Sequence, residues 1–257
     1  MLQQLIYCIG GLFSIPFLPI LMYLGKKTKR KVPSLGEATE NIISQVGNYP
    51  THLNLLTLGE STIAGVGVTS HNDGVTGATA THLSHNFEKT VHWQVIAKNG
   101  YTAERVTQKL VPQIPQMPFD FIVIGMGGND TFQLNSPLTF KKNMILMLEN
   151  IQVTQPNAQI IIINMPPVAD FPAFPWLIQF LLGGLVSLHG KVIADLPSQF
   201  KNVYYISNKI RLKDWIPKDK SLTAKDFFSD GVHPSSLTYK MWGNQIGDFI
   251  TKNCAKH

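Results

Sequence analysis

The stretch LNLLTLGES, Leu53 to Ser61, decides the architecture: an apolar run up to Leu58, then a glycine, an acid and a serine. A short apolar run closed by turn residues reads as a strand buried on both faces. Four more runs of this kind follow, at Trp93 to Ala97, Phe121 to Ile124, Ile160 to Ile163 and Val203 to Ile206. Segments of helical length separate them: Ala78 to Lys89, Ala103 to Leu110, Pro137 to Ile151 and Trp176 to Leu196. After Pro234, Met241, Trp242, Ile246, Phe249 and Ile250 recur at helical spacing. Strands alternating with helices predict an α/β fold, with a five-stranded parallel sheet covered on both faces.

In open sheets of this class, ligands bind beyond the carboxyl ends of the strands. Ser61 follows the first expected strand, Gly100 the second, and Asn129, within Gly127-Gly128-Asn129-Asp130, the third. Three candidate groups therefore share one edge. Ser61 is expected where the strand turns into a helix, so that its N–H can receive negative charge, although a serine there also serves as an ordinary N-cap. The Asn129 carboxamide can donate to a developing oxyanion, or simply close an Asx turn. Asp130 is expected to hold its loop by accepting backbone N–H bonds.

Near the C-terminus, Asp230-Gly231-Val232-His233 sets a carboxylate three residues before a histidine. A serine nucleophile needs a base for its proton and a group that orients the base. His233 and Asp230 are the matching pair, with Asp230 accepting from Nδ1–H and Nε2 left free. The other histidines (His52, His71, His82, His85, His92, His189 and His257) read as ordinary surface or core residues. His82 and His85 share a helix face, but no third ligand stands out, so no metal is expected. There is no Gly-x-Ser-x-Gly elbow, and no Gly-Lys-Ser/Thr ending of a phosphate loop.

Taken in order, Gly59-Glu60-Ser61, Gly100, Gly127-Gly128-Asn129-Asp130 and Asp230-x-x-His233 resemble the four blocks of the SGNH (GDSL-type) hydrolase family, over roughly residues 52 to 250. The resemblance implies a flavodoxin-like three-layer α/β/α sandwich. It also implies a Ser61, Asp230, His233 triad, with Ser61 N–H, Gly100 N–H and Asn129 as the oxyanion hole and no cofactor. Glu60 stands where the family usually has aspartate, a position that is structural in the family, so no chemical role is assigned to it. The implied activity is hydrolysis of carboxylic esters with aliphatic or lipid-like acyl groups, lysophospholipids among them, through an acyl-enzyme. Two rivals remain: a glycan O-acyltransferase or deacetylase using the same triad, and a membrane-tethered scaffold without activity. A small-molecule or lipid ester is the expected partner, with no obligate protein partner.

Charge directs attention to the N-terminus. Of the net +6, Lys26, Lys27, Lys29, Arg30 and Lys31 supply five, which leaves +1 for everything else. A nucleic-acid binder spreads basic residues over a folded face, whereas these directly follow an uncharged run from Leu5 to Leu24. That run has the ~20 residues a transmembrane helix needs. A cleaved signal peptide would carry its positive charge ahead of the run and small residues at a cut site; here Gln3 and Gln4 precede it. An uncleaved single-pass anchor is expected (1–25), then a basic stop and linker (26–50), then the hydrolase domain (51–257). The positive-inside rule turns the domain toward the cytoplasm. Cys8 and Cys254 lie too far apart in character and position to suggest a disulfide. The uncharged stretch 171–190 reads either as a core helix or as an apolar cap over an acyl pocket or on the bilayer. As a second crossing it would part Ser61 from His233.

Overall fold

A computed structural model describes residues 1–216 and 221–254. The chain starts with α1 (Leu2–Ser14) and α2 (Leu18–Lys31), joined by a 3-10 turn at Ile15–Phe17 that carries Pro16. Then come β1 (Ile43–Val46), β2 (His52–Gly59), α3 (Val75–Phe87), β3 (Thr90–Ala97), α4 (Ala103–Lys109), β4 (Phe121–Gly125) and the short α5 (Gly128–Phe132). The rest is α6 (Pro137–Thr154), β5 (Gln159–Ile162), α7 (Trp176–Ile193), α8 (Leu196–Gln199), β6 (Val203–Tyr205), α9 (Leu212–Trp215) and α10 (Ser236–Asn253). His257 lies outside the described residues.

The sheet runs β1-β3-β2-β4-β5-β6 and is parallel except at its first edge, where β1 pairs antiparallel with β3. It has six strands where five were expected. The extra strand, ISQV, lies in the segment read as linker; its residues are half-buried or exposed, so it lacks the apolar run that marks a covered strand. An edge strand of this kind needs only backbone partners on one side. The preceding residues also dock on the domain: Ala38 N–H donates to Ala64 O (3.0 Å), and Glu37 meets Lys98 Nζ (2.9 Å) and Asn99 N–H (2.6 Å).

Side chains alternate across the sheet with the period of two that a strand imposes. Leu55, Phe121, Val123 and Ile161 face α3 and α10; Leu56, Ile122, Ile124, Ile160 and Ile162 face α4 and α6. Both layers are buried, which is why the strand sequences are apolar throughout rather than alternating. At the top of the central strands the backbones nearly touch. A Cβ on Gly59 would lie 2.2 Å from Gly125 O, so the loops after β2 and β4 start from one point.

Among the described residues two helices are long and apolar enough to cross a membrane: Leu2–Lys31, with none of its apolar window buried, and Trp176–Gln199, with 28% buried. The second is tied into the domain, because Leu185, Val186, His189 and Ile193 on α7 are buried. It is a domain helix with one open face.

Candidate active site

Ser61 stands at the C-terminal end of β2, half-buried. The expected helix after it does not form. Residues 61–67 make successive turns, with Ala64 N–H bonded to Glu60 O (2.8 Å) and Val66 N–H to Ser61 O (3.1 Å). Gly65 (φ +65) and Gly67 (φ +98) adopt left-handed backbone there, which a continuing right-handed helix excludes. Ser61 is thus held by a turn rather than at a helix N-terminus.

Asn129 lies in the first turn of α5, at the end of β4. Its amide Nδ2 donates to Tyr101 O at 3.2 Å, joining it to the loop after β3. That loop contains Gly100, whose φ of +81 calls for glycine although a Cβ would meet nothing within 4 Å. Among the described residues, the N–H groups of Ser61 and Gly100 have no acceptor in the chain. Asp130 behaves as expected of a loop-holding residue. Fully buried, it accepts from Ala103 N–H (2.8 Å), at the start of α4, and from Asn135 Nδ2 (2.8 Å). Burial raises its pKa against those bonds.

Glu60 does more than the sequence suggested. Its carboxyl oxygens accept from Gly128 N–H (2.6 Å) and Asn129 N–H (2.8 Å), so the residue beside the serine grips the loop that carries the carboxamide. Burial, resisted by these two bonds, pushes its pKa up to about 8. The grip of the longer acid is tight, since a Cβ on Gly128 would sit 2.9 Å from Glu60 Oε1. The clue in the sequence was an acid placed directly before the serine, but nothing there named its partners.

A second, unforeseen support is His189 on α7. It is fully buried, with Nδ1 3.1 Å from Thr131 Oγ1 and Nε2 2.8 Å from Asn135 O. Burial, against its bond to Asn135 O, lowers its pKa to about 4, so the ring is neutral at neutral pH. It braces α5 from behind.

From the other end of the chain, Asp230 and His233 sit in a loop closed by Ser229 N–H to His233 O (2.8 Å). His233 Nδ1 lies 2.7 Å from Asp230 Oδ2, while Oδ1 accepts the N–H groups of Val232 (2.9 Å) and His233 (2.7 Å). The Asp230 side chain has no exposed surface and that of His233 keeps 19%. Burial works to raise the Asp230 pKa, but the bonds and charge of His233 outweigh it and hold the group below the usual carboxylate range. With Nδ1–H committed to Asp230, the Nε2 lone pair is the free end of the ring.

Helix α10 brings the two ends together. It packs on α3, and Tyr239 OH donates to Val66 O (2.9 Å), just beyond Ser61. Trp242 Nε1 donates to Asn164 Oδ1 (2.7 Å), beyond β5. As a result Ser61, Asn129 and His233 line one cavity of about 170 Å³, walled by Phe132, Phe171, Trp215 and Phe228. Gly100 is not among its lining residues, though its neighbour Asn99 is. No hydrogen bond joins Ser61 to His233. Among the described residues no group of three or more His, Cys, Asp or Glu side chains is placed to hold a metal ion.

A model of the GDSL-like Lipase/Acylhydrolase family matches residues 57–241. Several solved structures share the fold. The lipase Lip_vut3 from a goat rumen metagenome is 21% identical, with a TM-score of 0.59 over 76% of this chain and 95% of that one. A lipase/acylhydrolase from Enterococcus faecalis is 20% identical, with a TM-score of 0.51 over 78% and 96%. A family two carbohydrate esterase from Clostridium thermocellum, in complex with cellohexaose, is 15% identical, with a TM-score of 0.54 over 81% and 66%. No curated protein sequence matches the chain. The family match covers most of the chain, including Ser61, Gly100, Asn129, Asp230 and His233, and the chain belongs to the GDSL-like lipase/acylhydrolase family.

Proposed function

We propose that this protein is a serine esterase that hydrolyses aliphatic or lipid-like carboxylic esters through an acyl-enzyme on Ser61. The observation that carries the reading is the pairing of His233 Nδ1 with the buried Asp230 carboxylate at 2.7 Å, in the cavity that Ser61 also lines. Ser61 Oγ attacks the ester carbonyl as its proton passes to His233 Nε2. The tetrahedral oxyanion is held by Ser61 N–H, Gly100 N–H and the Asn129 carboxamide. The carbonyl–alkoxy bond then breaks and the alcohol leaves with the proton from Nε2. Water, deprotonated by the same nitrogen, releases the acid and restores Ser61. The Ser61–His233 bond closes when substrate is bound, as such contacts commonly tighten only in the complex.

The aromatic walls, Phe132, Phe171, Trp215 and Phe228, favour an apolar acyl group. The test is a series of nitrophenyl esters of graded chain length, with lysophospholipids and acetylated oligosaccharides, on wild type beside Ser61→Ala. Turnover of apolar esters that disappears in the variant supports the reading. Transfer to sugar acceptors exceeding hydrolysis supports the acyltransferase instead. Folded wild-type protein that neither turns over any ester nor labels at Ser61 with a fluorophosphonate would be the scaffold.

The protein also works at a membrane in this reading, attached through Leu2–Lys31, which is long and apolar enough to span one and has none of its apolar window buried. The basic residues Lys26 to Lys31 at its end favour the cytoplasmic side, where anionic lipids and the positive-inside rule act together.

A further inference from the structure

We propose that the N-terminal helix lies along the bilayer rather than across it, and that with the open face of α7 it sinks one side of the catalytic domain into a single leaflet. This rests on the membrane attachment proposed above and replaces the single-pass layout with a specific docking surface.

The argument starts from which side of the helix meets the protein. Tyr7, Ser14, Leu21 and Thr28 recur every seven residues and are the half-buried or buried positions, with Gln3, Gln4 and Leu24 beside them. That stripe is mostly polar, and its polar groups make specific bonds. Tyr7 OH donates to Leu134 O (2.8 Å), and Gln4 Oε1 accepts from Leu138 N–H (3.2 Å), a first-turn amide of α6 that has no partner within its own helix. Along its length α1 lies against α6 and α7, and α2 against α7. Leu5, Ile9, Leu12, Phe13, Phe17 and Ile20 point the other way and are exposed. The helix is amphipathic with its polar side inward and its apolar side out, the reverse of a helix on a water-soluble domain.

A crossing helix cannot keep these contacts. Tyr7, bonded to the domain, and Thr28, buried on α2 where that helix lies against α7, are about 21 residues apart, or about 31 Å at ~1.5 Å per residue, close to the ~30 Å hydrocarbon thickness. Holding both ends would drag the domain through the membrane, with Lys141 and Glu149 of α6 and Lys191 of α7. Charged groups at that depth are costly. Lying flat, the same helix puts its apolar side into the acyl region and leaves its bonds intact.

The face continues onto the domain. On α7 Trp176 and Phe180, one turn apart, are 75% and 72% exposed, and Leu134 and Leu138, beside Gln4 and Tyr7, are 58% and 63% exposed. The occupant is a lipid leaflet with anionic headgroups, because Lys26, Lys27, Lys29, Arg30 and Lys31 crowd the end of the same helix. The cavity opens close by. Its wall residue Phe132 ends α5 two residues before Leu134 and packs edge-on against Phe174 (5.9 Å), just before Trp176. A lipid ester would therefore reach Ser61 from the leaflet without first crossing water.

The test uses the full chain, with an N-terminal epitope, reconstituted in sealed phosphatidylcholine/phosphatidylglycerol vesicles. An impermeant protease is added, and loss of epitope and of catalytic domain are followed on the same molecules. In-plane binding leaves both on one side, so protected molecules keep both and cut molecules lose both. Molecules that keep one and lose the other would show a crossing helix, overturning the proposal while leaving membrane attachment intact. Failure to float with vesicles would overturn both. Nitrophenyl ester turnover, measured on the same samples, reports separately on the esterase reading. As a second measurement, lipids brominated near the headgroup end of the acyl chain should quench tryptophan emission in wild type. Quenching should be largely lost in Trp176→Phe, since Trp93, Trp215 and Trp242 are buried; equal quenching in the two proteins would rule out α7 as part of the face.

Discussion

Two apolar regions of this protein have similar residues and opposite surroundings. In β4, Ile122 and Ile124 are wholly buried between sheet neighbours and helices, while in the N-terminal helix Leu12 and Phe13 are 67% and 73% exposed. Hydropathy states that a side chain must leave water but not what will cover it. In the sheet the cover is the chain itself, and the buried Glu60, Asp130 and His189 are each bonded to another element: Glu60 to Gly128 and Asn129, Asp130 to Ala103, His189 to Thr131 and Asn135. On the helix Gln4 and Tyr7 face inward and bond to the domain, while Leu5, Ile9, Leu12 and Phe13 are exposed.

The comparison breaks first at the site, where the largest effects are expected. Ser61→Ala should remove ester turnover altogether, and Asp230→Asn should lower kcat by up to ~10⁴ by leaving the imidazole in the wrong tautomer. Measured on a soluble nitrophenyl ester, an undiminished rate in Asp230→Asn would mean that His233 is oriented by another group. Asn129→Ala should cost about 10²–10³ in kcat with little change in KM, the signature of a donor used only in the transition state; a change confined to KM would assign Asn129 to substrate binding.

The covers themselves are compared by matched truncations. Ile122→Ala should cost about 2–5 kcal/mol of unfolding free energy, the usual toll of a core cavity. Leu12→Ala should stay within about 0.5 kcal/mol in urea melts, and show its effect as weaker flotation with vesicles. Equal destabilisation by both would mean that protein, not lipid, covers the helix.

The smallest effects come from pH. Glu60, at about 8 when folded against an ordinary 4.5, binds its proton more tightly in the native state, so its contribution to stability is full below about 4.5 and is lost as pH rises toward 8. His189, at about 4 against an ordinary 6.5, works in the other sense: its contribution is present above 6.5 and is lost as pH falls toward 4. The slopes oppose one another between about 4.5 and 6.5, each at most ~1.4 kcal/mol per pH unit. Urea midpoints in wild type should be nearly level between about 4.5 and 6.5 and fall above 6.5; Glu60→Gln should instead rise from about 4 to 6.5 and be flat above, and His189→Asn should fall steadily from about 4.5 toward 8. An unchanged profile in either variant would remove that group from the account.

Much of this was readable beforehand. The five buried strands announced themselves because both faces are covered, so each strand is an unbroken apolar run. Positions for Ser61, Gly100 and Asn129 followed from the edge rule for parallel sheets. β1 escaped notice because an edge strand is fixed by backbone pairing, which leaves no mark on side-chain pattern. The turn after Ser61 was read as a helix because left-handed Gly65 and Gly67 weigh less in a pattern than the apolar residues between them. Glu60 and His189 were named and passed over for a common reason: their partners lie far along the chain, so their work exists only once the fold has assembled. The inward polar stripe of the N-terminal helix was hidden too, since Tyr7, Ser14 and Thr28 look like scattered polar residues until a neighbour is placed beside them.

The bond from Tyr239 to Val66 spans 173 positions and has a consequence for biosynthesis. Ser61 precedes α10 in the chain, so the serine is synthesised well before the helix whose Tyr239 and Trp242 draw the site together. A chain interrupted anywhere between Ser61 and His233 therefore carries the serine without the imidazole that shares its cavity.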